Sequence, residues 1–164
     1  MNDDIGGRNE RCAERFTDAE FGSFDTLLDL KIPGVVEKVA PTVEHIMERI
    51  RSVGCAAGGD FEIEVALLEG LGNAVEHGCR CNPEKTVEIW VGCHDERGLV
   101  VVIRDPGPGF DPQEIPSPVE EENLLRTHGR GVWLINRLMD EVHYDSGGTE
   151  LRMHKVPRTD ADDQ

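Results

Sequence analysis

Two polar side chains four residues apart, Glu69 and Asn73, are the first candidates for chemistry in this sequence. In a helix they would lie one above the other on the same face. A carboxylate can act as a general base that polarises a hydroxyl for attack on a phosphoryl group. An amide oxygen suits Mg²⁺, a hard cation that prefers oxygen ligands. A solvated helix face would carry the same pair, so the spacing alone leaves both interpretations open.

A second group of candidates directly follows an apolar run. Asp105, Gly107 and Gly109 belong to the segment DPGPGFD after Leu99–Arg104. The two glycines permit positive φ or close approach of another backbone. The aspartate could accept a hydrogen bond from an exocyclic amine such as adenine N6. A Gly/Pro turn with an aspartate cap is the alternative.

The third group of candidates is the glycine-containing segment HGRGV. Gly129 and Gly131 open a helical pattern, and backbone N–H groups at such a helix N-terminus can bind phosphate. Arg126 and Arg130 could add charge-assisted hydrogen bonds. The alternative is a flexible linker into a packing helix. P-loop and Rossmann sites are excluded, because the sequence contains neither G-x-x-x-x-G-K-[ST] nor G-x-G-x-x-G in a βαβ unit.

The elements that must position these residues follow from the periodicity of apolar side chains. Helices are predicted over residues 35–53, 61–77 and from 129 onward. Pro41 kinks the first helix or marks its true start. Strands are predicted over residues 23–32, 86–93, 99–104, 141–145 and 149–155. The irregular alternation with two hairpins predicts an α/β (α+β) two-layer sandwich, in which a mixed, mostly antiparallel sheet has helices packed on one face.

The rest of the chain is predicted to lie outside these elements. Residues 1–22 and 157–164 are polar and are expected to be tails that flank a single domain of residues 23–156. Residues 112–128 are acidic and proline-rich, which predicts a mobile segment. Within the second helix, Gly70 and Gly72 each weaken the helix by about 1 kcal/mol relative to alanine. The small size of these two residues would allow close approach of the sheet or a ligand.

Composition limits the classes of function. The net charge of −16, without a local basic patch, makes nucleic acid an unlikely partner. The longest apolar run, Leu99–Ile103, is far shorter than the ~20 residues of a membrane-spanning helix. The N-terminal residues have no apolar region typical of a signal peptide. These features predict a cytoplasmic protein that does not bind membranes.

The five cysteines show no disulfide framework spacing. In a cytosolic protein we expect reduced thiols. A zinc cluster of Cys79, Cys81, Cys93 and His94 is the alternative, but this set lacks the usual pair of Cys-x-x-Cys knuckles.

The order of the three candidate groups is more specific than any one of them. Glu-x-x-x-Asn on a helix, Asp-x-Gly-x-Gly after a strand and Gly-x-Gly at a helix start resemble the N, G1 and G2 boxes of the GHKL (Bergerat-fold) ATPases. The segments ALLEGLGNAVEHG, DPGPGFDP, GRGVWLINRLMDEVHY and GGTELRMHK look like the anti-sigma-factor serine/threonine-protein kinases of bacteria within that superfamily. The similarity covers residues 23–156.

The resemblance implies a role for each matched residue. Glu69 corresponds to the general base and Asn73 to the Mg²⁺ ligand, while Asp105 corresponds to the aspartate that reads adenine. Thr149 corresponds to a threonine that supports adenine binding through this aspartate, and residues 112–128 to the ATP lid. With the two arginines, the expected ATP-binding set is Asn73, His77, Asp105, Gly107, Gly109, Arg126, Gly129, Arg130, Gly131, Val132 and Thr149.

The resemblance further implies a protein that uses ATP and Mg²⁺ to phosphorylate a serine on a small antagonist protein, and that sequesters a sigma factor, usually as a homodimer. An ATP-binding or degenerate partner-binding module without catalysis is the alternative, because the lid is strongly acidic. A histidine-kinase catalytic domain is disfavoured, since His45 is not followed by the expected Glu and Pro pattern. A topoisomerase-type ATPase would need further domains.

Overall fold

A five-stranded sheet forms one layer of the fold in the computed structural model, which describes residues 24–111 and 127–158. The strands are β1 (Asp25–Pro33), β2 (Thr86–His94), β3 (Gly98–Arg104), β4 (Glu141–Asp145) and β5 (Glu150–Lys155). Their spatial order is β1-β2-β3-β5-β4, and every pairing among them is antiparallel. The last residue of β3 therefore lies beside the first residue of β5, which brings Asp105 close to Thr149.

Helices form the second layer. They are α1 (Val39–Val53), α2 (Asp60–Asn73) and α3 (Thr127–Leu138). A short 3₁₀ turn, Val36–Lys38, precedes α1, and Pro41 lies in the first turn of that helix. A proline is tolerated there because the first backbone N–H groups of a helix have no intrahelical partner. This confirms that Pro41 marks the true start of the helix.

The core lies between the helices and one face of the sheet. Alternate residues of the central strands, such as Ile89, Val101 and Met153, point toward the helices and are almost fully buried. Gly70 allows α2 to approach the sheet closely, because a β-carbon on it would lie 3.0 Å from Ile103 Cδ1. Gly72 has no such neighbour. The close-approach explanation therefore holds for Gly70 only.

The opposite face of the sheet carries charged and aromatic residues. Trp90, Val100 and Val102 form a small buried cluster there. Beside it, charged side chains of alternating sign cross all five strands. The ion pairs join Lys31 to Glu88, Glu88 to Arg104, Arg104 to Glu150, Glu150 to Arg152 and Arg152 to Asp145. This series of pairs links the strand ends that carry Asp105 and Thr149.

The predicted fold class is confirmed, since helices cover one face of an antiparallel sheet. Several boundaries differ from the sequence predictions by one to four residues, and two of these differences lie near the candidate residues. The helix expected over 61–77 ends as an α-helix at Asn73 and continues as one π-helical turn, Ala74–Gly78, and α3 begins at Thr127 rather than at Gly129. The expected tails over 1–22 and 157–164, the latter apart from residues 157 and 158, and the lid apart from its last residues lie outside the described residues.

The cysteines correct the expectation of reduced thiols. The structure joins Cys55, just after α1, to Cys93 on β2, and their Cα atoms are 6.0 Å apart. Cys79 is buried and Cys81 is exposed, both as free thiols. The zinc alternative also fails, because Cys93 is engaged elsewhere and no metal-holding group of His, Cys, Asp or Glu occurs within residues 24–111 and 127–158.

None of the helices in the described part of the chain combines the length and the apolar character needed to cross a membrane.

Candidate functional site

A cavity opens where α2 ends, between the loop after β3 and the β4–β5 hairpin. Its empty space is about 640 Å³, a volume that includes open solvent at its mouth. Asn73 and His77 line one side, Asp105 and Gly109 line another, and Tyr144 comes from β4. Chain segments that are far apart in sequence thus converge on one concave site.

Asp105 is held at the cavity by two backbone contacts. Its Oδ1 accepts a hydrogen bond from the Gly107 N–H at 2.8 Å, and its own N–H donates to the Thr149 carbonyl oxygen at 3.0 Å. Burial raises the pKa of the Asp105 carboxyl, while the bond from Gly107 acts in the opposite direction. The second carboxylate oxygen, Oδ2, remains available for a donor on a ligand.

Glycines allow the backbone segments around Asp105 to touch. Gly78, at the end of the π-helical turn, packs against the Asp105 side chain, and a β-carbon on Gly107 would lie 2.6 Å from the Gly78 Cα. Gly109 has a φ of +72° and packs against Gly147. Any larger residue at these positions would push the loop away from the helix or the hairpin. The glycines therefore set the shape of the cavity.

The π-helical turn places His77 at the cavity. One residue more per turn shifts the direction of the following side chains relative to a continuous α-helix. The Cys79 N–H bonds to the Ala74 carbonyl oxygen, five residues earlier, at 2.8 Å. His77 is exposed and lines the cavity. This local irregularity lies one residue after Asn73, within the segment that the sequence singled out.

Glu69 and Asn73 share one face of α2, as predicted from their spacing. A β-carbon on Gly131 of α3 would lie 2.8 Å from Glu69 Oε2 and 3.0 Å from Asn73 Nδ2. Glycine at this position allows α3 to pack directly against the two polar groups. Asn73 lines the cavity, whereas Glu69, one helical turn before Asn73, does not.

The glycine segment lies within the first turns of α3. Gly129, Arg130 and Gly131 are helical, as the sequence pattern predicted, although α3 starts two residues earlier than expected, at Thr127. Arg130 is exposed and Val132 is buried at 6% exposure. The helical form follows from the packing of α3 on α2. Gly131 lies against Glu69 and Asn73. Arg130, Gly131 and Val132 do not line the cavity, and Arg126 lies outside the described residues.

Thr149 reaches Asp105 through the backbone only. Its hydroxyl donates to the Ser146 carbonyl oxygen at 2.9 Å instead. The two residues are joined by the main-chain bond from the Asp105 N–H to the Thr149 carbonyl oxygen.

Sequence reasoning missed two aromatic residues of the site. Tyr144 and Phe110 line the cavity with their ring centroids 5.3 Å apart, edge to face. The alternation of β4 contained a usable signal, because Val142 and Tyr144 occupy the same face as the core residues. No local pattern marks Phe110, which reaches the site through the fold of its loop.

The residues at the cavity fit an adenine nucleotide. A partly buried carboxylate could accept from the amine of the base, the glycines leave room for a flat ligand, and Phe110 and Tyr144 add aromatic surface. Polar groups on α2 lie at one edge of the cavity, where phosphates could extend.

Comparison with known proteins agrees with this fit. A protein-family model described as "Histidine kinase-like ATPase domain" matches residues 32–155. A serine-protein kinase RsbW from Oceanobacillus iheyensis is 27% identical over 135 residues, covering 78% of this chain and 85% of that protein. A serine-protein kinase RsbW from Bacillus cereus strain Q1 is 28% identical over 142 residues, covering 80% and 86%.

The family match spans most of the chain and includes the last two residues of β1 and all of β2, β3, β4 and β5. The chain therefore belongs to the family of histidine kinase-like ATPase domains, and this membership implies that it binds ATP.

Proposed function

We propose that this domain is a serine/threonine-protein kinase that transfers a phosphoryl group from ATP to a serine on a small antagonist protein, and that it sequesters a sigma factor. The observation that carries the kinase proposal is the position of Glu69 and Asn73 on one face of α2, at the edge of the cavity that holds Asp105. This arrangement supports the proposal that Glu69 is the base and Asn73 the metal ligand.

In this mechanism Glu69 accepts the proton of the serine hydroxyl as the serine oxygen attacks the terminal phosphorus of ATP, and ADP leaves as the bond from that phosphorus to the bridging oxygen breaks. Asn73 would hold Mg²⁺ through its amide oxygen, and the bound ion would neutralise charge on the phosphate oxygens. Asp105 orients the adenine ring by accepting a hydrogen bond from its amine. His77 and the α3 residues Gly129, Arg130, Gly131 and Val132 complete the phosphate side of the site once α3 adjusts to the nucleotide, together with Arg126.

The identity of the partners rests on the resemblance of the motifs and on the relatives, which are named serine-protein kinases. We propose a cytoplasmic homodimer that acts on proteins rather than on nucleic acid or membranes. The net charge of −16 supports protein partners that carry basic patches.

A non-catalytic ATP-binding module is the second candidate. The observation that favours it is the contact between α3 and Glu69, because the backbone of Gly131 lies against the carboxylate. If α3 kept this position in the presence of nucleotide, the serine of a partner could not reach Glu69.

The variant Glu69→Gln tests the proposal. We expect it to bind ATP as the unchanged protein does, and to lose phosphotransfer by about 10²- to 10⁴-fold because the base is absent. Binding is measured by calorimetry with Mg-ATP, and transfer by labelled phosphate on a small antagonist protein taken from the neighbouring genes. Glu76→Gln, an exposed carboxylate on the same helical segment, is the matched control.

Equal phosphotransfer by Glu69→Gln would show that Glu69 is not the base. Binding of ATP without transfer by the unchanged protein would support the non-catalytic module.

Asn73→Ala should lose the Mg²⁺ dependence of ATP affinity, and an unchanged dependence would remove Asn73 from the metal site.

A further inference from the structure

We propose that the hydroxyl of Tyr144 forms a hydrogen bond with the base of the bound nucleotide and so contributes to its recognition. This inference rests on the proposed nucleotide site, and it adds a residue outside the N, G1 and G2 boxes. Three observations carry it: the place of Tyr144 in the cavity, the lack of a partner for its hydroxyl among the described residues, and the Asp105 acceptor in the lining of the same cavity.

Tyr144 is positioned by the β4–β5 hairpin. It pairs with Leu151 in register, and its side chain points to the helix-covered face of the sheet. There it lines the same cavity as Asp105 and packs edge to face on Phe110. The ring is thus fixed by a strand pairing on one side and by an aromatic contact on the other.

The Tyr144 hydroxyl oxygen is shielded from solvent and has no hydrogen-bond partner in the part of the chain that the structure describes. Buried hydroxyl groups are almost always paired, because an unpaired one loses its bonds to water without replacement. Burial also raises the pKa of this phenol, so it stays protonated and can donate. In this closed arrangement no ligand atom reaches the hydroxyl, so a base bound in the cavity supplies the missing acceptor once the Tyr144 ring shifts toward the cavity that it lines.

Asp105 and Tyr144, which line the same cavity, have complementary hydrogen-bonding preferences. The Asp105 carboxylate accepts hydrogen bonds, whereas the neutral Tyr144 hydroxyl can donate one. Adenine presents an amine that donates and ring nitrogens that accept. A base with an oxygen in place of the amine would face the Asp105 carboxylate with a second acceptor. The pair therefore suits an adenine base, with Tyr144 bonded to one of its ring nitrogens.

The experiment compares the unchanged protein with Tyr144→Phe by calorimetry with Mg-ADP. We expect the variant to bind roughly three- to tenfold more weakly, as for one hydrogen bond. Its melting temperature without nucleotide should equal or exceed that of the unchanged protein, since the hydroxyl has no partner to lose. His143→Gln, an exposed neighbour on the other face of β4, is the matched control and should bind normally.

Analogues of ADP that lack one ring nitrogen, the 1-, 3- and 7-deaza forms, then identify the acceptor. One analogue should bind more weakly to the unchanged protein and show no further loss in Tyr144→Phe.

Unchanged ADP affinity in Tyr144→Phe would overturn the inference, and so would a lowered melting temperature, which would reveal a structural partner. Absence of ADP binding by the unchanged protein would instead overturn the nucleotide site itself.

Discussion

At the scale of a single residue, the Asp105 carboxylate has opposite effects on the stability of the fold and on ligand binding. Its carboxyl is desolvated, which raises its pKa, and the Gly107 N–H only partly offsets this. Because the folded-state pKa lies above the unfolded one, the folded protein binds this proton more tightly. The group's contribution to stability is therefore fully present below the unfolded pKa and is lost as the pH rises through the folded pKa. The carboxylate costs stability at neutral pH at the position where a ligand amine would need it.

Asp105→Asn should separate these two effects. At neutral pH we expect its free energy of unfolding to equal or exceed that of the unchanged protein, and the difference to shrink as the pH falls toward the ordinary aspartate pKa. ADP affinity should fall by roughly tenfold or more, as for a lost bond to a charged group. Urea unfolding across the acid range and calorimetry test both. Asp95→Asn, in the exposed β2–β3 turn, is the control. Lower stability of Asp105→Asn at pH 7 would mean that the Gly107 bond outweighs desolvation.

At the scale of elements, contact between the end of α2 and the loop after β3 depends on Gly78. An added methyl group there would meet the Asp105 side chain, whereas at Gly72 it would meet no atom within 4 Å. We expect Gly78→Ala to lower the melting temperature and weaken ADP binding by displacing Asp105. Gly72→Ala should instead stabilise by about 0.5–1 kcal/mol, because alanine favours the helix. Thermal unfolding checks the signs, and equal effects of the two changes would contradict this account.

The sheet offers a second test at this scale. Glu150 is only 2% exposed and bonds Arg104 through two guanidinium nitrogens, at 2.8 and 2.6 Å. Replacing it with glutamine leaves Arg104 without its buried counter-charge. We expect Glu150→Gln to lower the free energy of unfolding by about 1–3 kcal/mol, measured by urea denaturation. Glu141→Gln, on an exposed position of β4, should change it little. A loss no larger than that of Glu141→Gln would make the network dispensable.

The strands and helices could be predicted from the sequence because their apolar spacing is local. The order of the polar and glycine motifs likewise indicated the family. The π-helical turn and the contact between Gly78 and Gly107 could not be predicted, since both depend on how distant segments pack. The same holds for Tyr144, whose place in the cavity depends on the β4–β5 register.

At the scale of the whole molecule, the cavity and the cysteine pair lie at opposite ends of the central strands. Cys93 is paired in register with Leu99, near the start of β3, whereas Asp105 follows its last residue. Leu99 and Asp105 are six residue steps apart along β3, which corresponds to about 20 Å. The pairing of Cys55 with Cys93, 38 residues apart, connects the turn after α1 to the sheet. No local spacing in the sequence could have predicted this cysteine pair, because only the completed fold brings the two residues together.

The disulfide should therefore affect stability without affecting nucleotide binding. Closing a 38-residue loop restricts the unfolded chain and is worth up to about 4 kcal/mol. We expect reduction to lower the melting temperature of the unchanged protein while ADP affinity, measured at a temperature where both forms are folded, stays the same.

Cys93→Ser should melt at the temperature of the reduced protein whether or not reductant is present. Cys81→Ser, which removes an exposed thiol, should keep the full response. A melting temperature that does not respond to reductant would mean that the two thiols do not pair in solution, and a parallel loss of ADP affinity would mean that the two ends of the sheet are coupled.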